Sequence, residues 1–154
     1  MIVSSYSTIV TVPLVVQAAA YISGNLVGGK ITIPNVGYSG DIRTVELTDA
    51  SNTAVDYDVF FFNSNPSAST FIEKAALTLV AADLAKVIGC VTLGSASRFA
   101  FATNNIHFVR DLNIPFSAER ISGLGTIYAA ILMRGAATFA GVNDLTLRLG
   151  IQGG

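Results

Sequence analysis

Leu145-Thr146-Leu147-Arg148-Leu149-Gly150-Ile151 alternates large apolar residues with small or polar ones throughout. Successive side chains of a strand point to opposite faces, so the leucines and Ile151 are predicted to face a core and Thr146 and Arg148 solvent. A helix would scatter the same residues around its circumference. Ile127–Met133 is apolar at both parities and reads as a central strand covered on both faces. Tyr57-Asp58-Val59-Phe60-Phe61-Phe62 carries three consecutive phenylalanines that must point to alternate faces, so both faces of this strand are also expected to be covered.

Further strands are predicted at Ser4–Val10, Lys30–Pro34, Asp41–Thr48, Cys90–Leu93, Arg98–Ala102 and Ile106–Leu112. Within Asp41–Thr48, strict alternation puts Arg43, Val45 and Leu47 on one face and Ile42, Thr44 and Glu46 on the other. Pro13 favours an edge or a bend. Turn residues cluster at Ser23–Asn25, Asn35–Gly40, Asp49–Asp56 and Asn63–Ser69. One helical candidate lies within Leu79–Val87, where Leu79, Leu84 and Val87 fall near 3.6-residue spacing, Thr78 or Asp83 could cap and Gly89 ends the run. The expected fold is all-β: a jelly-roll-like β-sandwich of about eight strands with one short helix. Residues 1–17 form an N-terminal arm or edge strand, and 18–154 a single sandwich domain.

Of the 154 residues, 51% are hydrophobic and 12% charged. A free soluble domain carries about 25% charged residues, so the shortage points to surface covered by other protein. The net charge of −1 and nine Lys and Arg scattered singly argue against nucleic acid. The apolar run Ile9–Ala20 is broken by Thr11, Pro13 and Gln17, follows no basic residue, and falls short of the roughly 20 residues of a membrane span. It reads as a strand or docking arm, with neither membrane insertion nor secretion expected. The single cysteine, Cys90, cannot form an internal disulfide and reads as a small buried hydrophobe, in keeping with folding in a reducing cytoplasm.

No catalytic motif is present. His107, the one histidine, lies in a predicted strand without a G-x-S-x-G elbow, and reads as a strand histidine with its ring nitrogens hydrogen-bonded or solvated. One Cys and one His cannot make a zinc site. Asp49, Asn52, Asp56 and Asp58 carry oxygen ligands of the kind calcium takes, but lack the EF-hand pattern; they read as turn residues that hydrogen-bond locally. Gly24–Gly29 loosely resembles a phosphate loop, lacks its GK[ST] ending, and reads as a turn between strands. Asp56 or Asp58 with Glu73 would make a glycosidase pair only through tertiary placement. The tyrosines, Tyr6, Tyr21, Tyr38, Tyr57 and Tyr128, read as packing rather than a sugar platform. No catalytic, cofactor or metal residue is assigned.

Three segments carry a family resemblance: Ala19–Gly29; Asp58–Phe71 running into Ala75–Leu79 and Ala82–Gly89; and Asn143–Gly150. Together they resemble small virion structural proteins of tailed bacteriophages, over most of the chain from Ala19 to Ile151; Met1–Gln17 has no counterpart. The resemblance implies a capsid decoration, or cement, protein: made in the host cytoplasm, bound to the major capsid protein on the virion surface, stabilising the head, and assembled as a homo-dimer or homo-trimer. A tail, baseplate or fibre component, or a glycan-binding module, is the alternative, because sandwiches serve both roles. The residues expected to touch a partner are Ile2, Val3, Tyr6 and Ile9 on the N-terminal arm, Phe71 in its loop, and Phe99 and Phe101.

Overall fold

The computed structural model describes residues 7–153; the expected contact residues Ile2, Val3 and Tyr6 lie outside them. The strands are β1 (Ser7–Pro13), β2 (Ala20–Tyr21), β3 (Leu26–Pro34), β4 (Ser39–Asp49), β5 (Tyr57–Phe62), β6 (Val87–Leu93), β7 (Arg98–Ala100), β8 (Asn105–Val109), β9 (Ile114–Ser117), β10 (Glu119–Ile121), β11 (Leu124–Met133), β12 (Ala137–Thr138) and β13 (Leu145–Gly153). The helix α1 spans Ala81–Leu84. One sheet runs β1-β13-β4-β8-β7 with β9 also paired to β4; the other runs β10-β11-β5-β6 with β3 paired to β11.

Eight principal strands, β1, β3, β4, β5, β6, β8, β11 and β13, define the topology. Taken first to eighth in chain order, they are arranged first–eighth–third–sixth in one sheet and second–seventh–fourth–fifth in the other, all antiparallel. This is the jelly-roll order of paired Greek keys. The remaining strands are short pieces, of which β9 and β10 fall in the Ile114–Ile121 stretch that carries no clear alternation. Pro13 ends β1, which pairs only with β13 among the described residues.

The main core lies between the sheets. Leu145, Leu147, Leu149 and Ile151 of β13 meet Ile42, Val45 and Leu47 of β4 and, from the other sheet, Val59, Phe61, Ile127, Ala129 and Ile131. The alternation predicted for β13 is therefore the observed one. In β4 the predicted alternation fails. Gly150 pairs with Thr44, but Ile151 pairs with Ile42, leaving Arg43 without a counterpart. This bulge advances the strand by one residue, so that Ile42 joins Val45 and Leu47 in the core, and Arg43 and Glu46 lie outside it.

A second core lies on the far side of β11 and β5. Leu26, Phe62, Tyr128 and Ala130 pack there with Phe60, Phe71, Leu77, Leu79, Val87 and Leu132. Its cover is residues 63–86 of the same chain. Leu26 N–H donates to the Ala75 carbonyl at 2.8 Å, and Lys74 N–H to the Leu26 carbonyl at 2.9 Å. The predicted helix shrinks to the single turn α1. Neither Thr78 nor Asp83 caps it; Val80 is its N-cap with no side-chain bond, Leu84 is exposed, and Val87 starts β6. Asp83 is buried inside the turn instead, accepting Ser69 N–H at 2.6 Å and Lys86 Nζ at 2.8 Å. Those charge-assisted bonds hold its carboxyl below the usual range against the opposing effect of burial. Cys90 is another correction. It points outward from the edge strand β6 and is exposed, because Val91 and Leu93 take the inward positions.

Candidate interaction face

The outer face of the β1-β13-β4-β8-β7 sheet bears the side chains that alternation turns away from the core. Register sets them in rows. Ile9 lies beside Gly150 and Thr44; Thr11 beside Arg148, Glu46 and Phe108; Pro13 beside Thr146, Thr48, Ile106 and Phe99. Ile9 is 65% exposed, Phe99 56% and Phe101 62%. The structure thus brings Ile9, Phe99 and Phe101 onto one sheet face, although 90 residues separate Ile9 from Phe99. Phe71 lies elsewhere: it covers the second core edge-on to Phe62, centroids 6.4 Å apart, with Lys30 Nζ 6.0 Å from its ring.

Two depressions mark this face. One, of about 700 Å³, is floored by Thr44 and Gly150 and walled by Ile9, Arg43 and Phe108. A Cβ on Gly150 would collide with Thr44 Oγ1, so a glycine leaves this floor open. The other, of about 440 Å³, lies among Thr48, Phe101, Ile106 and Thr146. The row holding Arg148 and Glu46 runs between them, and Arg148 Nη1 donates to Glu46 Oε1 at 3.5 Å. Arg110 stacks its guanidinium 4.8 Å from the Phe108 centroid. Ile106 and Phe108 also stand on this face, although the sequence reading does not single them out. The signal was there: His107 and Asn105 alternate with them and take the inward positions.

The other candidate residues are satisfied locally. Asp49 accepts Ser51 N–H and Thr53 N–H, each at 2.8 Å, and also the Thr53 hydroxyl. Asn52 Oδ1 accepts from Asn105 Nδ2 at 3.2 Å. Asp58 pairs with Arg134 Nε at 2.7 Å and accepts the Thr92 hydroxyl at 2.8 Å. These carboxylates do not converge, and among the described residues no group of three or more His, Cys, Asp or Glu could hold a metal. The Asx turn is the geometry observed for Asp49.

Gly24 makes a turn, but Gly28 and Gly29 lie within β3, where residues 28–30 bulge opposite Ala130 of β11. Their φ values of 83° and 63° create a backbone nest, and the chain fills it with its own carboxylate. Glu73 Oε2 accepts Gly29 N–H at 2.7 Å, and Oε1 accepts the Tyr21 hydroxyl. Burial pushes the Glu73 carboxyl up, against the lowering effect of those bonds. The nest anchors the 63–86 segment and is closed to an outside anion.

His107 is fully buried on the inner face of β8, edge-on to Tyr57 at 5.7 Å. Nδ1 lies 3.3 Å from Ser97 Oγ, and Nε2 has no hydrogen-bond partner among the described residues. The reading of a ring bonded or solvated at both nitrogens is therefore half right. Burial, aided by the Arg98 charge, holds its pKa below the ordinary value. Tyr21, Tyr57 and Tyr128 are buried; Tyr38 is exposed, with Arg120 stacked 4.0 Å from its ring. No described helix is long and apolar enough to cross a membrane.

No family model matches the chain, and no curated protein matches it. Among solved structures, the crystal structure of the infectious bursal disease virus VP2 subviral particle is 11% identical over 96% of this chain and 32% of that chain, with a TM-score of 0.40. The structure of the infectious bursal disease virus Gx strain is 9% identical over 96% of this chain and 31% of that chain, at 0.38. The T13 particle of the same virus is 11% identical over 96% and 30%, at 0.34. The chain spans about a third of the length of each of these. Strand order, not these likenesses, defines the fold.

Proposed function

We propose that this chain is a structural protein of a bacteriophage virion, decorating the head and stabilising it by binding the major capsid protein. The observation that carries the reading is the open outer face of the β1-β13-β4-β8-β7 sheet, where Ile9, Phe99, Phe101, Ile106 and Phe108 stand among threonines. Single exposed apolar residues are ordinary, but a face that gathers them around shallow depressions is the form a docking surface takes. The resemblance of three segments to phage virion proteins gives that face its partner.

Such a protein acts through buried area. A specific interface takes about 800 Å² from each partner, roughly a tenth of the chain's 7538 Å² surface. Whatever binds only the assembled head stabilises the assembled head, and repetition over many copies multiplies the effect. The role requires no reacting group and places the protein on the virion surface after synthesis in the host cytoplasm. Its partners are the major capsid protein and further copies of itself, as a dimer or a trimer.

The test is an image reconstruction of the particle that carries the protein. Icosahedrally repeated copies on the head, with Phe99 and Phe108 against the capsid shell, are expected. A handful of copies confined to the tail would overturn the reading and favour the tail, fibre or glycan-binding alternative.

A further inference from the structure

β1 forms the outer edge of its sheet. Leu14 N–H donates to the Leu145 carbonyl at 3.0 Å, in line with the β1–β13 register, so residue 14 and its even-numbered neighbours in β1 bond inward to β13. Ser7, Ile9 and Thr11 therefore direct both N–H and C=O away from β13, and Pro13 directs its carbonyl alone. No other strand pairs with β1 among the described residues. Proline at an outward position is the arrangement an edge strand tolerates.

Edge strands are normally guarded by charge, a short span or a cover. The β10 edge carries Glu119 and Arg120, β3 carries Lys30, and β7 has three residues beginning with Arg98. β6 is uncharged, but Ile114 of β9 packs against its Gly89. β1 has seven residues, and no Asp, Glu, Lys or Arg occurs before Lys30.

We propose that two copies join by antiparallel β1–β1 pairing centred on Ile9, merging their outer sheet faces into one surface. This register sets Ile9 against the partner's Ile9 and Ser7 against the partner's Thr11. It gives every outward N–H of those residues a carbonyl and leaves Pro13, which has none to offer, past the paired stretch. The two exposed Ile9 side chains become a cross-strand apolar pair on the outer face. The contact is self-complementary, as a two-fold interface requires, and a strand with no charge meets its copy without repulsion. Pairing with an identical uncharged edge is favoured over any charged partner, because nothing on β1 would compensate that partner's desolvated charge. This deepens the assembly reading above and rests on it only for its biological setting.

Solution mass, followed by light scattering and sedimentation over a concentration series, tests the pairing with no particle present. The wild-type chain is expected to reach twice 16.1 kDa. Ile9→Lys puts like charges opposite each other, and Thr11→Pro removes an outward N–H while sparing the β13 bonds. Each is expected to weaken the dimer by about tenfold or more, with far-ultraviolet dichroism and melting showing that the monomer stays folded. Mixing Ile9→Lys with Ile9→Glu is expected to restore a dimer. A wild-type chain that stays monomeric throughout, or a dimer that survives both Ile9→Lys and Thr11→Pro, overturns the proposal. Head occupancy, measured separately, decides the virion reading, so the two can fail independently.

Discussion

The two sheets of this sandwich solve the same problem in different ways. Each has an inner face in the shared core and an outer face to account for. The outer face of the β3-β11-β5-β6 sheet is as apolar as a core, and the chain covers it with its own residues 63–86. The outer face of the β1-β13-β4-β8-β7 sheet mixes threonines and one ion pair with exposed aromatics, and the described chain leaves it open. A low charge content therefore has two separate origins here. One is internal cover, which is a matter of folding; the other is a face that the described chain leaves uncovered, which the proposed function assigns to assembly.

The largest effect should come from breaking the covered side. Phe62 is fully buried between β5 and the 63–86 segment, edge-on to Phe71. Phe62→Ala is expected to destabilise by about 3–5 kcal/mol, read as a lower urea midpoint. A loss no greater than that of an exposed residue would mean that the second core adds little to folding, and the contrast between the sheets would collapse.

Next is the clasp that holds the cover down. Asp83 takes Ser69 N–H and Lys86 Nζ, and Lys86 Nζ also donates to the Asn65 carbonyl at 2.7 Å. Asp83→Ala leaves Ser69 N–H without its acceptor and Lys86 Nζ with the Asn65 carbonyl alone. Limited proteolysis should then cut within residues 63–86 faster than in the wild type, at unchanged cleavage elsewhere. Equal cutting rates would show that the apolar contacts hold the segment without the clasp.

That covered side was legible in the sequence only in part. Phe60–Phe62 and Ile127–Met133 announce two buried faces because alternation is a property of every strand, wherever it sits. What covers them is a tertiary matter: Leu77 and Leu79 alternate with Ala76, Thr78 and Val80 in a stretch that mimics a helix start, and Asp83 looks like a cap until its partners are seen. The β4 bulge was hidden for a related reason. A single unpaired residue, Arg43, reverses the parity of everything before it, and nothing local announces it. The open face was half legible. Of the residues the sequence offers as partner contacts, Ile9, Phe99 and Phe101 lie exposed on this face and Phe71 packs into the second core; Ile106 and Phe108 stand out only once the inward His107 fixes their parity.

His107 offers a probe of the shared core, which belongs to both sheets equally. Its folded pKa lies below the ordinary 6.5. Well above pH 6.5 the ring is neutral in both states and contributes no pH dependence. As pH falls below that value, the unfolded chain takes up a proton that the folded chain resists, so stability declines until the folded pKa is passed. Urea midpoints between pH 7 and pH 5 should therefore fall more steeply for the wild type than for His107→Phe. Parallel slopes would show that the buried ring is not the group responsible.

The smallest effects on stability belong to the open face, and that is what makes it informative. The Arg148–Glu46 pair is 3.5 Å long, with the arginine side chain 39% exposed and the glutamate 15%. Solvent screens such a pair, and Arg148→Ala should cost about 0.5 kcal/mol or less. Phe108→Ala, which removes a half-buried ring stacked against the Arg110 guanidinium, should cost about 1 kcal/mol, the centre of the ordinary range for a point mutant. A face that contributes little to folding can be altered with little risk of confusing misfolding with lost binding. On the proposed function, Phe108→Ala should reduce occupancy of purified heads more than Arg148→Ala, because a desolvated aromatic anchor counts for more than a rim charge. If both variants fold like the wild type and decorate heads equally well, the docking surface lies elsewhere, and the openness of this sheet has no bearing on assembly.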